Sequence, residues 1–156
     1  MKFTVVRGQL TQRKETILLW ISEDVAVPQR ASKWNGKVKK TVAKLRKEKR
    51  IKGKLGETFL LPLDSVWVVL TGVGKEKALC PDRIRQAAAY GARQALSSGS
   101  ETLATELIST QKLSTRQAAQ AITEGIVLGT YRYQEMKAKT LTADDKRVLK
   151  SVALVV

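Results

Sequence analysis

The stretch Thr16-Ile17-Leu18-Leu19-Trp20-Ile21 constrains the fold more than any other part of this chain. It is short, rich in branched and aromatic residues, and almost without a polar break, which reads as a strand. A sheet with one wet face alternates polar and apolar residues along each strand. A continuous apolar run needs cover on both faces, as in α/β sheets. Phe3–Val6, Glu57–Leu63, Val66–Leu70, Thr102–Ile108 and Val152–Val156 read as further strands.

Helical periodicity fills the intervals. From Ser32 to Arg50, Trp34, Val38, Val42 and Leu45 share one face. Asn35-Gly36 weakens the start, so that Lys37 is a second place for the helix to begin. Gly53 and Gly56 bracket the following turn. Strands 57–63 and 66–70 meet through Asp64-Ser65, a tight antiparallel connection in which Pro62 must sit where no ladder bond is needed. Val66–Leu70 runs into Thr71-Gly72-Val73-Gly74-Lys75, a glycine-bearing exit loop. Pro81 and Asp82 open a second helix, with a buried face of Ile84, Ala87, Ala88, Gly91 and Ala95 that implies close packing. Ser114-Thr115-Arg116-Gln117 is a capping box for a third helix, which carries Ala118, Ala119, Ile122, Ile126 and Gly129 and ends near Tyr131–Tyr133. The order ββαββαβαβ predicts an α/β fold with a mixed sheet and helices on both faces. At 156 residues the chain fits one domain, 1–156.

Composition narrows the chemistry. There is no histidine, which removes the commonest general base, the usual Ser/His and Cys/His pairs, and the commonest zinc ligand. Cys80 is alone, so it reads as a plain, partly buried thiol and suits a reducing compartment. The 14 acids are scattered, and the adjacent pairs Glu23-Asp24 and Asp144-Asp145 read as solvent-facing loop residues. The N-terminus has no apolar run of signal-peptide length, and no segment approaches the roughly 18 apolar residues of a membrane span. A cytoplasmic location and no membrane partner are expected.

The formal net charge is +15, and most of it is concentrated. Between Arg30 and Lys54 twelve Lys/Arg stand against one acid, Glu48, a local net of +11. Lys33, Lys37, Lys40, Lys44 and Lys47 recur opposite the apolar stripe, with Lys39, Arg46 and Arg50 on the flanks. Such a face is ordinarily just solvated surface. As a functional feature it is a phosphate-backbone footprint, for which Lys33, Lys37, Lys40, Lys44, Lys47, Arg50, Lys52 and Lys54 are the candidate residues. Lysine in place of arginine favours contact without sequence preference, since bidentate base reading is mainly arginine work. Trp34 belongs to the core stripe in this reading, not to a base-stacking platform.

Thr71-Gly72-Val73-Gly74-Lys75 is neither a P-loop, since Glu76 follows the Gly-Lys pair, nor a dinucleotide fingerprint, whose third glycine would fall at Leu79. Two glycines at the end of a buried strand ordinarily let the backbone turn; a phosphate cradle is the alternative.

Four segments in order resemble the N-terminal domain of the leucyl (cytosol) aminopeptidase family. They are Ile51-Lys52-Gly53-Lys54-Leu55-Gly56-Glu57-Thr58, Val68–Lys75 with its Gly-x-Gly-Lys ending, the Arg83–Ala95 helix, and Ala121–Tyr133, similar to a Glu-Gly-x-x-Leu-x-x-Tyr-x-Phe helix end. The resemblance implies a macro-domain-like, three-layer α/β/α sandwich. In full-length relatives it implies a C-terminal catalytic domain with two divalent metals, zinc or manganese, held by Lys, Asp and Glu. No segment here matches that domain's Asn-Thr-Asp-Ala-Glu-Gly-Arg signature, so the resemblance carries over no catalytic residue, metal or cofactor. The expected role is a non-catalytic domain serving assembly or regulation, partnered by the catalytic domain or other subunits. Double-stranded DNA, which some bacterial members bind, is the alternative partner for the basic helix 33–54. ADP-ribose or a nucleotide near Gly72–Lys75 is a third reading, suggested by the macro-domain likeness.

Overall fold

The computed structural model describes residues 1–10, 13–24, 36–63, 65–108, 113–132, 142–143 and 146–156. Lys33, Trp34, Asp64, Tyr133 and the Asp144-Asp145 pair, all weighed above, lie outside the described residues.

The elements follow the expected order: β1 (Lys2–Val6), β2 (Thr16–Ser22), α1 (Gly36–Lys47), β3 (Thr58–Leu63), β4 (Val66–Gly74), α2 (Pro81–Ser97), β5 (Thr102–Glu106), α3 (Thr115–Thr130) and β6 (Ser151–Val155). Six strands form one sheet in the order β1-β6-β5-β2-β4-β3. All neighbours are parallel except β3, which runs antiparallel to β4 along the far edge. Pro62 therefore lies on an edge strand, opposite Trp67, where a missing N–H costs the sheet least.

The unbroken apolar run is explained by where β2 sits. It is flanked by β5 and β4 and covered on both faces. Leu18 and Trp20 face α2 and α3, while Leu19 and Ile21 face α1, whose Val38, Val42 and Leu45 close that side. This is a three-layer α/β/α sandwich with two cores. Two threonines inside it are satisfied locally. Thr71 Oγ1 donates to the Ala87 carbonyl at 2.9 Å and Thr105 Oγ1 to the Leu18 carbonyl at 3.0 Å.

The small residues of α2 and α3 allow these helices to meet backbone to backbone. A side chain at Gly129 would lie 2.5 Å from the Ala89 backbone, and one at Gly125 would meet the Arg85 carbonyl. Arg85 and Glu124 then pair across the contact at 2.8 Å. At the start of α3 the capping box is present in both directions: Gln117 N donates to Ser114 Oγ at 3.2 Å, and Ser114 N donates to Gln117 Oε1 at 3.1 Å.

Two expectations change. β4 does not give way to a loop at Leu70 but continues to Gly74. Gly72 and Gly74 pair with Ile21 and Ser22 of β2, with an irregularity between them. Gly72 has no room for a side chain because the Lys54 carbonyl crosses directly over it. The basic helix expected over 33–54 ends at Lys47, because the chain reverses at Lys49, so Arg50, Lys52 and Lys54 lie beyond it.

Candidate nucleic-acid interface

The lysine face is built by α1 and by the turn that leaves it. Lys37, Lys40, Lys44 and Lys47 are exposed on the outer side of α1, at spacings of three and four that align side chains on a helix. The helix is closed by a reversal in which Lys49 N donates to the Arg46 carbonyl and Arg50 N to the Leu45 carbonyl, each at 2.9 Å. This is a Schellman closure, and its left-handed position, usually glycine, is filled by Lys49 at φ 58°. Ile51 then plugs the core, and Arg50, Lys52 and Lys54 emerge exposed around it. Seven of the eight candidate residues are thus exposed, four on α1 and three on the turn that follows it; the eighth, Lys33, is outside the described residues.

Arg46 leaves that surface. Its Nη2 donates to the Ser22 carbonyl, so its guanidinium is turned toward the end of β2. Burial lowers its pKa, and the neighbouring charge of Glu57 opposes the shift. Glu48 stays outside, exposed, 3.9 Å from Lys44 and 3.4 Å from Arg50. Pairs of that kind contribute about 0–1 kcal/mol, so Glu48 is chiefly a local counter-charge.

Glu57 is different, and sequence reasoning gave it no role. Its carboxylate accepts from three consecutive amides: Lys52 N at 2.9 and 3.0 Å, Gly53 N at 2.6 Å and Lys54 N at 3.1 Å. The Gly53 φ of 78° opens the turn, and a Cβ there would collide with the Ser22 carbonyl. The turn is also bonded to the sheet. Gly74 N donates to the Gly53 carbonyl at 2.9 Å and Gly72 N to the Glu57 carbonyl at 2.8 Å.

Those last two bonds bear on the glycine stretch 72–75. The Gly72 and Gly74 amides face neighbouring backbone, and the Glu76 amide donates to Asp24 Oδ1 at 3.0 Å. The stretch works here as a backbone crossing. The thiol of Cys80 is half-buried and free of any disulfide.

Comparison with known proteins places this geometry in context. The model for the cytosol aminopeptidase family, N-terminal domain, matches residues 17–140. A probable cytosol aminopeptidase of Clostridium perfringens is 22% identical over 140 residues, taking in 87% of this chain and 27% of that protein. Among solved structures, a variant of tomato leucine aminopeptidase superposes on all of this chain and 32% of its own, with a TM-score of 0.73 and 21% identity. The macrodomain of Thermus aquaticus DarG covers 99% of this chain with a TM-score of 0.66 at 11% identity, a likeness of fold. The chain therefore spans between a quarter and a third of the length of the aminopeptidases it matches.

Proposed function

The chain belongs to the cytosol aminopeptidase family, through that family's N-terminal domain, and on that premise we propose that it is an accessory module. It serves the assembly or regulation of a peptidase and does not itself cut peptide bonds. The match to the N-terminal-domain model across residues 17–140 carries this reading. Its partner is a catalytic domain or another subunit of the same enzyme, and its place of work is the cytoplasm. Aminopeptidases of this family are metal-dependent, and the residues here fit that role poorly. The resemblance puts those metals on Lys, Asp and Glu of a separate catalytic domain, and among the described residues no group of three or more His, Cys, Asp or Glu could hold a metal ion. No hydrolytic step is therefore assigned to this chain. Incubated with manganese or zinc and a leucyl chromogenic substrate, it is expected to match the blank. Chelator-sensitive turnover above the blank would overturn the reading.

A second reading is favoured by the exposure of Lys37, Lys40, Lys44 and Lys47 on α1 and of Arg50, Lys52 and Lys54 on the turn that follows it. These residues, with Lys33, would bind double-stranded DNA through its phosphates and without sequence preference. Affinity would then fall steeply with salt, each phosphate contact adding about 0.9 to the log–log slope. The triple variant Lys40→Gln/Lys44→Gln/Lys47→Gln should flatten that slope by about 2.7. No retardation of a random-sequence duplex at roughly 50 mM salt would sink this reading.

A further inference from the structure

Resting on the nucleic-acid reading, we propose that Glu57 is a positioning residue for the basic segment, holding Lys52 and Lys54 outward on the turn that follows α1. Three successive amides converging on one anion form a nest, an arrangement that elsewhere takes phosphate. Here the anion is internal, because the Glu57 carboxylate lies 2.6–3.1 Å from the amides of Lys52, Gly53 and Lys54. With the amides turned inward, Lys52 and Lys54 are exposed while Gly53 between them is buried against Ser22. The bonds from Gly72 and Gly74 fix the turn to the sheet, so the two lysines stand on a rigid support.

The same geometry explains how an acid can sit beside a basic face without cancelling it. The charge of Glu57 is directed at three amides and at the nearby Arg46 guanidinium. Glu48 has no such engagement with backbone amides among the described residues and pairs sideways with Lys44 and Arg50, the groups a phosphate would need. The two acids therefore predict opposite results. Removing a plain counter-charge strengthens polyanion binding. Removing an organiser weakens it, although the net charge becomes more positive.

Fluorescence anisotropy with a labelled random-sequence duplex, across a salt series, separates these cases. Glu48→Gln is expected to bind more tightly than wild type. Glu57→Gln is expected to bind more weakly, on the order of tenfold at low salt, with a slope flattened by up to about 1.8 as two phosphate contacts are lost. Its effect should vanish in a Lys52→Gln/Lys54→Gln background, because coupled residues are not additive. Glu57→Asp keeps the charge and shortens the reach, so it too should bind more weakly. Should Glu57→Gln fail to melt cooperatively, Glu57→Asp decides the matter. Equal or tighter binding by the Glu57 variants overturns the positioning role while leaving the nucleic-acid reading intact. A wild-type chain that does not bind the duplex sinks both.

Discussion

Replacing Gly125 with alanine should force apart the two helices that make up one layer of the sandwich. Inside a helix this change ordinarily stabilises by about 1 kcal/mol, since alanine loses less backbone entropy on folding. At this site the new Cβ would stand 2.8 Å from the Ala88 Cβ and 2.9 Å from the Arg85 carbonyl carbon, with the carbonyl oxygen nearer still. Carbon atoms pack favourably at about 3.5–4.0 Å, so α3 must retreat from α2 by roughly 1 Å. The obstruction is helix backbone, which has no rotamer to escape into. Overpacking of this kind costs about 1–3 kcal/mol, and the backbone contact puts it at the upper end. After the gain in helix propensity, a net loss of about 1–2 kcal/mol remains. For a chain of this size that lowers Tm by roughly 2–8 °C, measurable by circular dichroism or calorimetry. Gly36→Ala is the control: nothing lies within 4 Å of its Cβ position, so its melt should match or exceed wild type. A Gly125→Ala protein as stable as wild type, beside a well-behaved control, would refute backbone contact between α2 and α3.

Two further outcomes can be checked in the same melts. Lys49→Gly should stabilise by about 1 kcal/mol, because φ 58° is a conformation that costs a side-chain-bearing residue about that much and glycine little; a lower urea midpoint would contradict this. Glu124 accepts hydrogen bonds from Gln120 and Arg85, which lower its pKa in the folded state. Its contribution is thus present above the ordinary carboxylate range and is lost as pH falls through the folded value. Wild type and Glu124→Gln should therefore converge in Tm as the solution is acidified, and a difference that widened with acid would speak against the pairing.

Much of the fold could be read because its signals are local. The apolar run of β2, the capping box at Ser114, and the alanines of α2 each encode one neighbour relation, and the structure contains all three. The extension of β4 through Gly72 and Gly74 was hidden, since glycine is a poor strand former. Its reason, the passage of Lys54 over Gly72, is tertiary. Lys49 hid for the converse reason: a left-handed helix end is marked in sequence by glycine, and none is there. On the basic face, helical spacing sufficed to group Lys37, Lys40, Lys44 and Lys47. It could not show Arg46 turning inward to Ser22, because that carbonyl belongs to another element. Glu57 was the hardest to read. Its place in a Gly-Lys-x-Gly-Glu turn could have drawn notice, but the amides it collects become visible only once the turn is folded.

The layering also makes the molecule electrically lopsided. On one side of the sheet α1 carries six Lys/Arg and no acid, whereas α2 and α3 on the other carry four arginines against two acids. Such a distribution is a permanent dipole directed across the sheet. Within about 10 Å of an anionic surface at 0.1 M salt, the domain turns before it touches. On a cation-exchange resin it would adsorb through α1 with α3 held toward the solvent, where a dye or tag on α3 stays within reach.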